Sequence, residues 1–151
     1  MICFGMMYDK TRSAGVLAGE IARLYAAALQ RTLMPLGLSR AQFVVLGELW
    51  LTDGVTQKEL ASCLSLEQAT MANTLARMER DDLVTRKPHP DDGRSQQIWL
   101  TGTAKELQAP ATRAAIEADS LVAAGLPGAE RELFLSMLGR VAANLRGNKT
   151  A

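Results

Sequence analysis

TQKELASCLSLEQATMANTLARMER, residues 56–80, holds two short amphipathic segments with almost nothing between them. Thr56-x-x-Glu59 opens the first as a capping box, in which the threonine hydroxyl and the glutamate carboxylate each satisfy a backbone N–H that the helix start leaves free. Leu60, Ala61 and Leu64 follow as its apolar side. Ser65-x-x-Gln68 offers a second box and predicts a helix from Leu66 to about Arg80. A join this tight does not lay two helices side by side. It sets them at a steep angle, which is the helix-turn-helix geometry.

Plotted at about 100° per residue, the second segment has two unlike faces. Met71, Leu75 and Met78 fall together and must pack inward, whereas Thr70, Asn73, Thr74 and Arg77 recur at helical spacing as a polar stripe on another side. Ala69 and Ala76 flank the stripe, Gln68 precedes it and Arg80 lies at its far end. Small residues beside hydrogen-bonding ones suit a helix that enters a DNA groove. The backbone comes close, Asn pairs with adenine, Arg with guanine, and a Thr methyl meets thymine. An ordinary solvated helix face has the same composition, so the stripe alone leaves both readings open.

The residues downstream change character. Leu83 to Lys87 and Gln96 to Leu100 contain β-favouring Val, Thr, Ile and Trp, and Pro88-His89-Pro90-Asp91-Asp92-Gly93-Arg94 between them is dense with turn formers. This predicts a two-stranded hairpin with a protruding loop, leaning on the helices because a lone hairpin is marginal in water. Arg94 stands where it can reach a narrow minor groove. Asp92 is placed to hold its guanidinium or its backbone. The alternative is a surface ion pair contributing at most about 1 kcal/mol. Helix-turn-helix, polar stripe and basic-tipped hairpin, in that order, make a winged helix-turn-helix.

Upstream, Ser39-x-x-Gln42 is another capping box, followed by Phe43, Leu46 and Trp50 on one face and ended by Thr52-Asp53-Gly54. Before it, Val16, Leu17, Ile21, Leu24, Ala28 and Leu29 mark a helix from about Ser13 to Leu33, closed by Pro35 and Gly37. The last block, Thr103 to Leu145, is helical and broken at Gly125-Leu126-Pro127-Gly128. Pro110 is expected to kink its first helix, and Leu133, Phe134, Met137, Leu138, Val141 and Leu145 form a wide apolar stripe on its second. No internal repeat, low-complexity tract or glycine-rich phosphate loop interrupts this order.

Composition bounds the rest. With 151 residues, 48% hydrophobic and a net charge of +1, the chain is too apolar and too weakly charged to be disordered. Only 5% of residues are aromatic, so the core must be aliphatic. No run approaches the ~18 apolar residues of a membrane span, and the apolar start, Met1 to Met7, is too short for a secretory segment. Two cysteines, Cys3 and Cys63, make no disulfide framework and suit a reducing cytoplasm. Between Gly54 and Thr101 six Lys/Arg face seven Asp/Glu, so bulk charge does not argue for nucleic acid there; the placement of the charges must. His89 is the single histidine and has no companion ligands, so no metal site is expected; phosphate contact or plain solvent exposure fits it better. The pairs Asp81/Asp82 and Asp91/Asp92 sit at a helix end and a turn, where Asp belongs for structural reasons. No nucleophile–base pair is evident, so no catalytic residues and no cofactor are expected.

Leu60-Ala61 through Leu83-Val84, then Asp92-Gly93-Arg94 and Leu100-Thr101, resemble the MarR family of transcriptional regulators. Especially similar are Leu66-Glu67-Gln68-Ala69-Thr70-Met71, the run Leu75 to Leu83, the Asp-x-Arg wing, and Leu38-Ser39-Arg40-Ala41-Gln42-Phe43 in the second helix. The resemblance implies a homodimer whose first, fifth and sixth helices interdigitate and whose two lobes bind a pseudo-palindromic operator. It places Gln68, Ala69, Thr70, Asn73, Thr74 and Arg77 on the recognition helix, and makes Arg94 the wing arginine. Asn73 and Gly93 stand where basic residues are common in the family, and Ala69 where proline is frequent. Nonspecific affinity is therefore expected below the family norm. Asp82 replaces a common glycine after the recognition helix. Some relatives sense oxidants through a cysteine near the start of a dimer helix; Cys63 is not there and Cys3 is only nearer in sequence, so both are read as structural or incidental.

These readings combine into a mainly α fold with a small β-hairpin. Residues 1–37 form an N-terminal dimerisation helix and arm, 38–101 the winged DNA-binding domain, and 102–151 the C-terminal dimerisation helices. The terminal apolar stripes lie far apart in sequence, and a monomer would leave part of them bare, which argues independently for a second copy. The expected partner is double-stranded DNA, bound by a repressor that releases it when a small, often aromatic, effector binds between the dimer helices and the winged lobe. Tyr25, Phe43 and Trp50 are candidate pocket walls or ordinary core. A winged-helix protein-interaction module without DNA binding is the alternative.

Overall fold

The computed structural model describes residues 9–147; Met1 to Met7, with Cys3, lie outside them. Within that range a 3-10 turn, Lys10–Arg12, leads into α1 (Ala14–Leu33), capped by the Ser13 hydroxyl. A second 3-10 turn, Met34–Leu36, ends at Gly37, whose φ of 69° reverses the chain. Then follow α2 (Arg40–Leu51), β1 (Val55–Thr56), α3 (Gln57–Cys63), α4 (Gln68–Arg80), β2 (Val84–Pro88), β3 (Gln96–Leu100), α5 (Gly102–Glu106), α6 (Gln108–Val122) and α7 (Gly128–Gly147). No helix among the described residues is long and apolar enough to cross a membrane.

Both upstream capping boxes form. Ser39 and Gln42 exchange side-chain-to-backbone bonds at the start of α2, and Thr56 and Glu59 do so at the start of α3. The two bonds that Thr56 donates from its N–H and hydroxyl hold the Glu59 carboxyl below the ordinary carboxylate range. The third expected box does not form: α4 starts at Gln68, with Glu67 as its cap and no side-chain cap bond. Ser65 is spent otherwise. It adopts φ 52°, its N–H donates to Ser62 O, and Leu66 N–H donates to Ala61 O at 2.9 Å, closing the end of α3. The same closure recurs after α4, where Asp82 has φ 54° and Leu83 N–H donates to Met78 O at 2.8 Å. That backbone suits the glycine common at this position in the family.

The expected two-stranded hairpin is a three-stranded antiparallel sheet, in the order β1-β3-β2. Val84 pairs with Leu100 and Pro88 with Gln96 in the wing, while Val55 pairs with Ile98 on the other side of β3. Gly54 makes the third strand possible: its φ is +76° and a Cβ there would stand 2.5 Å from the Trp99 ring. Asp53 Oδ1 accepts the N–H groups of both Gly54 and Leu100, pinning the turn to the sheet. Pro110 does not kink one helix but separates two. Its ring excludes the carbonyl four residues back, Glu106, where α5 ends, and it sits in the first turn of α6, where a missing N–H costs nothing. The described residues therefore hold seven α-helices, and the fifth expected one is divided at Leu107.

The core is aliphatic, as the composition requires. Leu33, Leu46, Leu49, Leu60, Met71, Leu75, Met78 and Ile98 are its largest fully buried side chains, contributed by α1, α2, α3, α4 and β3. Ala28 and Leu29 of α1 face Ala111, Ala114 and Ala118 of α6, whose small side chains let the two helices approach closely. The N-terminal half of α1 and all of α7 stand outside this core: α7 has no buried residue.

Candidate nucleic-acid interface

Helix α4 turns Met71, Leu75 and Met78 fully inward, and this fixes where its other side points. Gln68, Ala69, Thr70, Asn73 and Arg77 are exposed; Thr74 is half-buried. The Thr74 hydroxyl donates to Thr70 O at 3.0 Å, so its proton is committed to the helix backbone and its methyl is the more available contact. Gln68 is tied to α3, its Oε1 accepting from Gln57 Nε2 at 3.3 Å. The stripe is thus one continuous face, anchored at its start.

The wing loop is internally braced. Asp92 Oδ1 accepts the Arg94 N–H at 3.0 Å, Asp92 O accepts the Ser95 N–H at 2.9 Å, and His89 N–H donates to Ser95 O. Of the two roles open to Asp92, it takes the backbone one. Arg94 is exposed and its guanidinium enters no ion pair among the described residues. His89 is not fully exposed to solvent. It is half-buried and its Nδ1 accepts the Asp91 N–H at 3.2 Å, a bond within the loop.

Placement of charge shows what the sequence reading missed. Lys58 of α3, Arg86 of β2 and Arg94 of the wing line one open cleft of about 400 Å³, with Gln57 and Gln68 between them and no carboxylate in its walls. Arg86 is oriented by Glu79 of α4, with Nε to Oε2 at 2.9 Å. Nothing local in the sequence links positions 58, 86 and 94; the sheet does. A chain with a net charge of +1 therefore gathers three cations beside the polar stripe.

A second cleft lies between α1, α2 and α6. Tyr25, Phe43 and Trp50, named from sequence as pocket walls, are all half-buried and share a cleft of about 450 Å³ with residues of α6. Phe43 and Trp50 meet edge to face with centroids 6.1 Å apart, and Trp50 Nε1 donates to Ala104 O at 3.0 Å. Cys63 is exposed, and its thiol donates to Glu48 Oε2 at 3.2 Å. Glu48 pushes that thiol up, away from the reactive thiolate. The described residues contain no cluster of metal-ligating side chains. Asp81 and Asp82 accept structural bonds, from Gln42 Nε2 and Thr103 Oγ1.

Known proteins agree with this geometry. The family model described as the MarR family matches residues 38–96, from the start of α2 through the wing. A protein named transcriptional regulator HosA, from Escherichia coli O111:H-, is 31% identical over 104 residues, covering 69% of this chain and 77% of that protein. Among solved structures, a MarR transcriptional regulator from Methanosarcina mazei Go1 superposes with a TM-score of 0.79 at 23% identity, over 91% of this chain and 97% of that one. A probable transcriptional regulator from Pseudomonas aeruginosa does so with a TM-score of 0.80 at 24% identity, over 88% and 99%. These two likenesses establish a shared fold, a winged helix with flanking helices. The family-model match and the 31% identity to HosA over 77% of that protein make the chain a member of the MarR family of transcriptional regulators.

Proposed function

We propose that this regulator is a cytoplasmic homodimeric repressor that binds a pseudo-palindromic operator and releases it when a small molecule occupies the cleft between α1, α2 and α6. The observation that carries the DNA reading is the contiguity of the α4 stripe and the three-cation cleft. Gln68, Ala69, Thr70, Asn73, Thr74 and Arg77 enter the major groove. Lys58, Arg86 and Arg94 sit against the backbone that borders it, with Arg94 extended by the Asp92-braced wing toward the minor groove. In this division of the chain, residues 38–101 read DNA and the segments on either side, 1–37 and 102–151, hold the second copy.

The dimer rests on unpartnered apolar surface. In α7, Leu133, Leu135, Met137, Leu138, Val141 and Leu145 are 40% to 67% exposed, and in α1 Val16, Leu17, Ile21 and Leu24 are 38% to 52% exposed. A twenty-residue helix with no buried side chain is not stable by itself in water, and a second copy supplies the cover. Two-fold pairing then sets the recognition helices about 34 Å apart, one turn of DNA. An effector acts by favouring the lobe spacing that does not match that turn.

The experiment is selection of bound duplexes from a random pool. A recovered site with two-fold symmetry and half-sites about one turn apart is expected; recovery of no duplex even at low salt overturns the reading. On the selected site, Arg94→Ala should lower both affinity and the salt slope, the latter by about 1. Asn73→Ala should cost about 1–3 kcal/mol on that site and little on random duplex. Equal losses on both would assign Asn73 to the backbone instead of the bases.

A further inference from the structure

We propose that the cleft between α1, α2 and α6 takes a flat organic cation, an aromatic or polycyclic amine or quaternary ammonium, in preference to an aromatic acid. This rests on the reading of that cleft as the effector site and specifies the charge of its ligand. At about 450 Å³ the cleft lies within the roughly 300–1,000 Å³ of small-molecule pockets.

Its walls carry one kind of charge. Asp119 of α6 is the sole charged side chain among the described residues lining it; no Lys, Arg or His does. Arg31 lines the neighbouring groove with Ile21 and Leu24, not this cleft. Beside it stand two neutral polar side chains, Gln108 and Thr112, the latter with its hydroxyl donated to Gln108 O, and an aromatic surface: Tyr25, Phe43 and Trp50 are three of the seven aromatic residues in the chain. Trp50 has already given its N–H to Ala104 O, so its indole offers only ring surface. Burial, and then the charge of Asp119, push the Tyr25 phenol up, so it stays neutral at physiological pH.

A carboxylate ligand entering here would leave water without meeting a cation, and would approach Asp119 as a like charge. A cation meets the reverse on both counts: a carboxylate for its charge, and aromatic faces that attract it through their quadrupoles. Exposed Leu51 and Ile116, 82% and 63% accessible, supply apolar rim for a planar frame.

The test is calorimetric titration of the full chain with three probes on one hydrocarbon frame: (1-naphthylmethyl)trimethylammonium, 1-naphthylmethanol and 1-naphthoate. The cation should bind about tenfold or more tightly than the carboxylate, with the alcohol between them. Asp119→Asn should bring the three within about threefold while leaving the alcohol unchanged, and Ile116→Arg, at an exposed rim position, should reverse the order. Naphthoate binding as well as the cation, and responding to Ile116→Arg, overturns the charge preference yet leaves the cleft a ligand site. Cation binding indifferent to both variants places the ligand elsewhere and overturns the proposal. Silence from all three overturns the effector reading of the cleft as well, and is the result expected if a partner's segment fills it.

Discussion

Ser65 and Asp82 are the two non-glycine residues with positive φ among the described residues, at 52° and 54°, and they close the two helices of the DNA-binding motif in the same way. Each lends its N–H to the carbonyl three residues back, and the next residue reaches the carbonyl five back, so the helix end is satisfied without a side-chain cap. The left-handed backbone costs an L-residue about 1–2 kcal/mol. Asp82 recovers part of that, because its carboxylate accepts from Thr103 Oγ1 and its carbonyl from Thr101 Oγ1, tying the end of α4 to α5. Ser65 is exposed and has only its short polar side chain to recommend it. Ser65→Gly should therefore stabilise the protein by about 0.5–1 kcal/mol after the added unfolded-state entropy of glycine is subtracted. The melting temperature should rise by about 2 °C. A fall in melting temperature would mean that the serine side chain stabilises the start of α4, the capping role that the sequence pattern suggested.

Between elements, the most specific link is Gln42, the one buried polar side chain among the described residues, 6% exposed. Its Oε1 accepts the Ser39 N–H at 2.9 Å, completing the α2 capping box, and its Nε2 donates to Asp81 Oδ2 at 2.7 Å, at the end of α4. On the other flank, Gln30 of α1 donates to Leu38 O and accepts from the Arg40 N–H, so the first turn of α2 is held by α1 and in turn holds the recognition helix. Gln42→Ala should cost about 2 kcal/mol, from an emptied buried site and two lost bonds, and Asp81→Ala about 1 kcal/mol. The double variant should fall short of the sum by about 1 kcal/mol, measured by urea unfolding; additivity would show that the two groups do not cooperate. The capping half of this arrangement was legible in Ser39-x-x-Gln42, because a box is a local pattern, and so were the inward face of α4 and the hairpin. The Asp81 half was not, since a contact across 39 residues leaves no periodic trace. For the same reason the two-residue strand β1 was missed, being too short to alternate, and so was the convergence of Lys58 and Arg86 on Arg94, which only the sheet register produces.

At the scale of the whole molecule, the apolar surface is divided unequally. The winged lobe buries its own hydrophobic side chains around Met71, Leu75 and Ile98, while the exposed large ones concentrate on α1, α6 and α7. That split separates two kinds of stability: the lobe owes little to α7, whereas α7 depends on whatever covers it. If the cover is a second copy, as proposed above, charge placed on the stripe should dissociate the protein without melting the lobe. Leu138→Glu with Val141→Glu puts two carboxylates into that surface, each facing a desolvation cost of several kcal/mol on association. The expected result at micromolar concentration is a dimer for the parent and a monomer for the variant by sedimentation, with part of the helical circular dichroism lost. Phe43 and Trp50 should keep their near-ultraviolet signal, since both pack on the lobe core. Operator affinity should drop far more than affinity for a single half-site, because the second lobe is no longer delivered at the high local concentration that the dimer provides. A variant that remains dimeric would relocate the interface to α1 and α6, and one that binds the full site normally would show that each lobe reads DNA alone.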